Sequence, residues 1–404
     1  MVYYNKYIYG VTAMEYKNAK DILPQEIVDM LQDYYQGGYL YIPKKIENNK
    51  KVQTDYKIEL EKRNQHIFLK YLEGWSKGQL ISLYHLSESS IRRIVLEQKK
   101  RFQEMPNVIS DIIPIWGIRC SSLIQIYPSV WEVNSSYVIK VYNNKSQLER
   151  NIKISGVLSE YGIPVAEVLP TKENKQYVEF EKQYYLMTKK LPGSNLTNIC
   201  DLETAYQIGK VIGKLHFALK NCEERAGFSS KSLLEEVKGY VRSNLEKDEW
   251  AIINQDEYIK VTEDLEKLYE YLPKQLIHRD VHLGNFLFYN NKFTGYIDFD
   301  LSQKNVKVFD ICYFLAGLLT EEERLRLQDS DWFQIVKKVL EGYESVNELL
   351  YVEKEAIPCV MKSIEMLFAA YFISIKDFRC AKDAADVFHY IEKNELEIRN
   401  VVYD

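Results

Sequence analysis

"IHRDVHLGNFLF", residues 277–288, sets a histidine and an aspartate two apart, then a second histidine, then an asparagine five residues past the aspartate. Apolar runs flank this polar loop. Side chains gathered in this way either satisfy one another in a buried network or hold something that is not protein. Just downstream, "NFLFYNNKFTGYIDFD" (285–300) has two apolar runs around Asn290-Asn291. Asparagine accepts the positive φ of tight turns, so the pattern predicts a β-hairpin. Counting outward from the turn brings Asn285 and Asp298 together at the open end. An amide oxygen beside a carboxylate is a hard-oxygen pair suited to Mg²⁺ bridging phosphates. Asp300, two residues on along an extended strand, points to the same face. Asp280, in the loop that enters the hairpin, can accept a hydroxyl proton while that oxygen attacks phosphorus. Three acids in one place repel one another unless a cation lies among them.

"HRDVHLGN" followed by "IDFD" resembles the aminoglycoside phosphotransferase/choline kinase family, cousins of the protein kinases. The resemblance implies a two-lobed kinase-like fold and ATP or GTP with Mg²⁺. It also implies a small hydroxylated acceptor: an aminoglycoside, amino alcohol, sugar or homoserine-like compound. It casts Asp280 as catalytic base, His278 as support for the loop, and Asn285 and Asp298 as metal-binding residues. His282 reads as a loop hydrogen-bonder. Asp310, in "VFDICYFL", matches the structural aspartate that opens the next helix. After Asp298 comes Phe299-Asp300, not Phe-Gly, and only twelve positions separate Asp298 from Asp310. That leaves little room for an activation segment, so a small-molecule kinase is expected and not a protein kinase.

A phosphate-holding lysine is available upstream. "SSYVIKVY" (135–142) alternates as a strand, with Ile139 and Val141 on the face opposite Lys140. "KSQLERNIKISGVLSEYGIP" then predicts a helix with Leu148, Ile152 and Leu158 on one side, ended by Gly162 and Pro164. By the family pattern Lys140 orders the phosphates. Glu149, nearer the helix start than Glu160, is the acid expected to pair with it. "YYLMTKKLPG" (184–193), with Met187 inside it, resembles the strand and hinge that contact the purine. "IQIYPSVWEV" (124–133) takes the place of the phosphate loop. It lacks glycine and leaves Ser129 to cap the phosphates.

The chain has 404 residues, 46% hydrophobic and 27% charged, an ordinary globular balance. Its N-terminus shows no apolar signal region, and its strongest apolar stretches, 311–319 and 366–375, are shorter than the roughly 20 residues of a membrane helix. A cytoplasmic protein without membrane contact is expected, its six cysteines reduced. Charge is uneven. Residues 1–105 hold 17 Lys/Arg against 13 Asp/Glu, while the whole chain holds 53 against 58. Within the basic part, "SKGQLISLYHLSESSIRRIV" (76–95) predicts two short helices. The first buries Leu80, Ile81 and Tyr84, and the second Ile91, Ile94 and Val95, with a turn at His85-Leu86. Ser89, Ser90, Arg92 and Arg93 would face a DNA duplex. "GGYLYIPKK" (37–45) and "LSESSIRRI" (86–94) resemble the Mor-type transcription activator domain, which implies DNA binding and a homodimer.

The expected architecture is therefore α+β. A helical, helix-turn-helix-like domain (1–105) precedes a kinase-like N-lobe (106–192) and a helical C-lobe (193–404), with Pro106 interrupting the helical pattern at the first boundary. The acid-rich "LLTEEERLRL" (318–327) reads as a capped helix start through Thr320 and Glu323. Phe368, Tyr371, Phe372 and Phe378 read as helix core. The alternative to an enzyme is a DNA-binding regulator whose kinase-like part binds a nucleotide or ligand without turnover.

Overall fold

The computed structural model describes residues 64–403 apart from 65–66, 69, 72–74, 85–87, 128, 200, 224–227, 229 and 321–328. It divides into two units between Val108 and Ile109. In the first, α1 (Lys77–Tyr84) and α2 (Glu88–Ile112) bury Leu80, Ile91, Ile94 and Val95 together with Ile67 and Phe68. Of the face expected for the two helices, Leu80, Ile91, Ile94 and Val95 are buried and Ile81 is partly buried. The turn at His85 and the stretch 37–45 lie outside the described residues. Pro106 does not interrupt the pattern, because α2 runs unbroken through that position. A proline inside a helix costs about 3 kcal/mol. Continuing the helix buries Ile109 and Ile112 completely or nearly so, and that offsets the loss.

The second unit is α+β. Its sheet has five antiparallel strands in the order β1-β2-β3-β5-β4: Leu123–Tyr127, Val130–Val133, Tyr137–Tyr142, Val178–Phe180 and Gln183–Lys189, numbered along the chain. Alternation sets its inner face, where Trp131, Val133, Ile139 and Val141 are buried. Turns with both central residues at positive φ close β2–β3 at Asn134-Ser135 and β4–β5 at Glu181-Lys182. That backbone twist matches the twist of the flanking strands. Helix α3 (Lys145–Glu160) follows β3. Asn144 caps it by accepting the Gln147 N–H at 3.1 Å, and the chain turns away at Gly162, φ +71°.

The remainder is mostly helical. α4 (Leu202–Glu223) packs along α9 (Asp329–Glu344) so closely that a Cβ on Gly209 would stand 1.9 Å from the Val339 carbonyl oxygen. One on Gly342 would stand 2.0 Å from that of Tyr206. Only glycine permits that crossing. Between these helices come α5 (Leu233–Glu236), a π-turn at Val237–Val241, α6 (Arg242–Lys247) and α7 (Gln255–Tyr269). α8 (Phe309–Gly317) follows the strands described below, and α10 (Tyr351–Ser374), α11 (Phe378–Lys393) and α12 (Glu395–Tyr403) close the unit. α10 is long and apolar enough to cross a membrane, but 89% of its apolar window is buried, so it is a core helix. On this helix Phe368 and Phe372 are buried as expected, whereas Phe378, which opens α11, is 55% exposed. No two of the five described cysteines form a disulfide. Glu323 and the rest of the acid-rich stretch from 321 lie outside the described residues.

Two strand sets interrupt the helices. β6 (Ser194–Asn195), β8 (Phe286–Tyr289) and β9 (Lys292–Tyr296) form one antiparallel sheet, and β7 (Lys274–Ile277) pairs with β10 (Gln303–Val306) in another. Sequence reading found only the β8–β9 hairpin here. Four-residue strands are too short to show a period of two. Asn290 and Asn291, at φ 50° and 56°, make the anticipated turn. A register shift between Leu287 and Phe288 then places Ile297, not Asp298, opposite Asn285, the Ile297 N–H donating to the Asn285 carbonyl at 3.1 Å.

Candidate active site

β7 ends at Ile277 and feeds directly into the polar loop. What holds that loop is Asp310, in the first turn of α8. Its carboxylate accepts the backbone N–H of His278 at 2.8 Å and of Arg279 at 2.7 Å, and sits 3.0 Å from Nε2 of His216 on α4. The Tyr343 hydroxyl lies 2.8 Å from the other ring nitrogen of His216. Arg279 has φ +67°, a conformation that persists only where its surroundings over-determine it. Here Asp310 fixes its backbone, and both Glu236 oxygens accept from its guanidinium at 2.8 and 2.7 Å.

The backbone so held delivers Asp280. Its carboxyl is 5% exposed, and one oxygen accepts the Tyr313 hydroxyl at 2.9 Å. Its backbone N–H donates to Nδ1 of His278 at 3.2 Å, and its carbonyl accepts the Asn285 side-chain amide at 2.8 Å. That second bond commits the amide nitrogen of Asn285, so its oxygen is the atom that could coordinate a cation. Burial, and then the Asp298 charge, push the Asp280 carboxyl up to about 8. His278 is fully buried, its ring edge-on to Tyr296 and Phe299 at 4.9 and 5.4 Å between centroids. Burial holds it below its ordinary titration range, so it acts as a neutral spacer. Burial takes His282 down to about 4. Its Nδ1 accepts the Gly284 N–H at 3.0 Å, and it stands 3.8 Å from Asp280, too far for a hydrogen bond.

Asp298 follows the hairpin with φ +68°, again left-handed. Lys140 of β3 reaches down to it, Nζ 3.1 Å from Oδ1, and lies 2.9 Å from Oδ2 of Asp300. Burial works to raise the Asp298 carboxyl, but the Lys140 charge and hydrogen bond outweigh it, and the net direction is down. Asp280, Asn285, Asp298 and Lys140 thus converge on one place from β3, the loop and the hairpin. Ser129 is exposed at the β1–β2 tip, and its carbonyl accepts the Val141 N–H at 2.8 Å, next to Lys140. Among the described residues no group of three or more His, Cys, Asp or Glu side chains is arranged to hold a metal. A donor set of one amide oxygen and one carboxylate fits Mg²⁺, which takes its other ligands from phosphates and water.

Two expected residues are placed elsewhere. Glu149 does not meet Lys140. Its carboxylate is 47% exposed, 3.8 Å from the Lys145 ammonium, and accepts from the Tyr177 hydroxyl. The cause is helical phase. α3 buries Leu148, Asn151, Ile154, Val157 and Leu158, and position 149 falls off that face. Met187 is fully buried on β5, opposite Ile139 of β3, and its carbonyl accepts the Leu169 N–H at 2.8 Å, so that oxygen is not open to a purine. Sequence reading missed Asn151, His216, Glu236, Tyr313 and Tyr343. Only Asn151 left a signal, three residues after Leu148 on the apolar face.

A lysine-bearing antiparallel sheet over a helical part that carries an aspartate loop defines a phosphotransferase of the kinase-like class. The chain belongs to the phosphotransferase enzyme family, whose model matches residues 127–349. Homoserine kinase of Zymomonas mobilis is 23% identical over 243 residues, 58% of this chain and 72% of that protein. A segment of 84 residues, 20% of the chain, is 33% identical to the uncharacterized protein YraL of Bacillus subtilis and spans 97% of it. Among solved structures, amicoumacin kinase hAmiN in complex with AMP-PNP, Ca²⁺ and Ami has a TM-score of 0.55 at 18% identity, over 75% of this chain and 95% of its own. The microcompartment-associated aminopropanol kinase has a TM-score of 0.54 at 17% identity, over 72% and 98%. Those two show the fold.

Proposed function

We propose that the chain transfers the γ-phosphate of ATP or GTP, with Mg²⁺, to a hydroxyl of a small molecule. The observation that carries this reading is the convergence of a buried carboxylate, Asp280, with Asn285, Asp298 and Lys140. In it, Lys140 orders the phosphates, and Asn285 and Asp298 are the residues that would hold the cation. That cation, when bound, neutralises charge on the phosphates. Asp280 takes the acceptor's proton, oriented by the Tyr313 hydroxyl and carried on a loop fixed by Asp310, with His278 supporting it. Ser129 lies where the hairpin tip would cover the phosphates. An amino alcohol of the homoserine or aminopropanol kind is the favoured acceptor, because a homoserine kinase and an aminopropanol kinase stand among the similar proteins. Aminoglycosides and sugars are the competing classes. The test is nucleotide consumption, with ATP and with GTP, against a panel of these four acceptor types. Turnover above background is expected with at least one. No turnover with any of them, at saturating nucleotide and Mg²⁺, would favour a ligand sensor over an enzyme.

We infer, as a second reading, a DNA contact through α2. Ser89, Arg92 and Arg93 lie exposed on that helix, and Ser90 is half-buried. Arg92 pairs with Glu88 at 2.9 Å and Arg93 with Glu97 at 3.5 Å. Exposed pairs one turn apart are worth about 0.3–0.5 kcal/mol, so phosphates can displace them. Duplex affinity of the full chain should fall between 50 and 200 mM salt by about tenfold or more. Salt-independent binding, or none, removes this reading.

A further inference from the structure

We infer that Asp300, held in place by Asn151, is the positioning residue for Lys140, the part assigned from sequence to a helix glutamate. The inference rests on the phosphotransferase reading of Lys140. Asp300 offers one oxygen, Oδ2, to the lysine at 2.9 Å. Its other oxygen accepts from the side-chain amide of Asn151, and the same amide nitrogen reaches the Tyr142 hydroxyl at 3.0 Å. The lysine ammonium lies 5.2 Å from the centroid of the Tyr142 ring. The group is sheltered, with side-chain exposures of 22% for Lys140 and 8% for Asp300, against 39% for Asp298 and 47% for Glu149.

Division of labour between the two aspartates follows. In the proposed site Asp298 is claimed by the cation, so its hold on Lys140 is the one that must be given up. Asp300 faces the lysine from the drier side and stays with it. A neutral asparagine on α3 cannot balance the lysine charge. It can aim a carboxylate, and its short side chain on the buried face of the helix places it to do so. The second aspartate of "IDFD" then supplies the negative charge, and α3 supplies its orientation.

The experiment measures binding of a fluorescent ATP analogue, with Mg²⁺, to the full chain. Wild type must bind it. If it does not bind this analogue or its GTP counterpart, the phosphotransferase reading fails, and the assignment of Asp300 is overturned with it. Given wild-type binding, Asp300→Asn is expected to weaken affinity about tenfold to a hundredfold, the effect of losing a hydrogen bond to a charged group. Glu149→Gln is expected to stay within about twofold, as an exposed pair should. Adding Asn151→Glu to the Asp300→Asn chain puts a carboxylate back within reach of Lys140, and should recover at least about half of the lost binding free energy. If Asp300→Asn does not fold, Asn151→Leu keeps the carboxylate, removes its holder, and should still weaken binding about threefold to tenfold. Unchanged affinity in Asp300→Asn, a loss in Glu149→Gln as large as in Asp300→Asn, or no recovery in the double variant would each overturn the assignment.

Discussion

Replacing Asp280 by asparagine is expected to lower kcat by about 10²- to 10⁴-fold and to leave nucleotide affinity within about twofold. Asparagine keeps the shape and can still accept the Tyr313 hydroxyl, which now lies 2.9 Å from the carboxylate, so the loop should hold. What it loses is the capacity to take a proton. Asp280→Ala should lose activity to the same degree, with an added stability cost from the buried cavity. The pH profile gives an independent check. Burial and the Asp298 charge raise this carboxyl to about 8, and only the ionised form is a base. The free enzyme's kcat/KM should therefore rise about tenfold per pH unit below that value and level off above it. Raising Mg²⁺ offsets the Asp298 charge, so the limb should move to lower pH as Mg²⁺ increases. Undiminished turnover in Asp280→Asn would remove Asp280 from the chemistry, and a limb indifferent to Mg²⁺ would detach Asp298 from the cation.

The parts of this site legible in sequence are those set by short-range geometry. His278, Asp280, Asn285 and Asp298 fall within one loop and one hairpin, whose two-asparagine turn is legible in the sequence while its register shift is not. The strand of Lys140 was legible because Ile139 and Val141 alternate around it. Glu149 was misread because a helix residue's direction depends on rotational phase. Positions 149 and 151 differ by about 200° around the axis, and only packing of Leu148, Ile154 and Leu158 selects between them. Met187 is placed differently because its carbonyl is taken by Leu169, a contact that is not written locally. His216 was beyond reach altogether, since it lies 94 residues from Asp310 in sequence and became its neighbour only when α4 packed against β7 and α8. The paired strands β7 and β10 were likewise invisible, although they supply the rigid lead into the loop. The residues proposed for the chemistry are local and patterned, whereas those that hold them in place come from distant helices with no pattern at all.

Glu365→Met is expected to stabilise the protein, by about 1–3 kcal/mol at pH 6 and by more at pH 9. Glu365 sits midway along α10 with no exposed surface, and neither carboxyl oxygen has a hydrogen-bond partner among the described residues. It shares a helix face with Met361, Phe368 and Phe372, where an unbranched thioether of similar length should pack. Burial raises its carboxyl from the usual glutamate range near 4.5 to about 8. A group that binds its proton more tightly when folded contributes full stability below the unfolded value and loses it as pH rises through the folded one. For Glu365 that window runs from about 4.5 to about 8, at roughly 1.4 kcal/mol per unit of pKa before relaxation reduces it. At pH 6 the methionine variant gains from removing two unsatisfied oxygens and from the part of that window already crossed, while at pH 9 it gains from the whole of it. Urea midpoints of wild type and variant at the two pH values measure both contributions. Asp280 titrates in the same direction in both proteins, so the difference between them isolates Glu365. A variant no more stable than wild type, or a gain that does not grow with pH, would mean that this carboxyl has a partner or a path to water. The isolated acid on α10 would then have to be counted among the protein's polar contacts instead of among its internal strains.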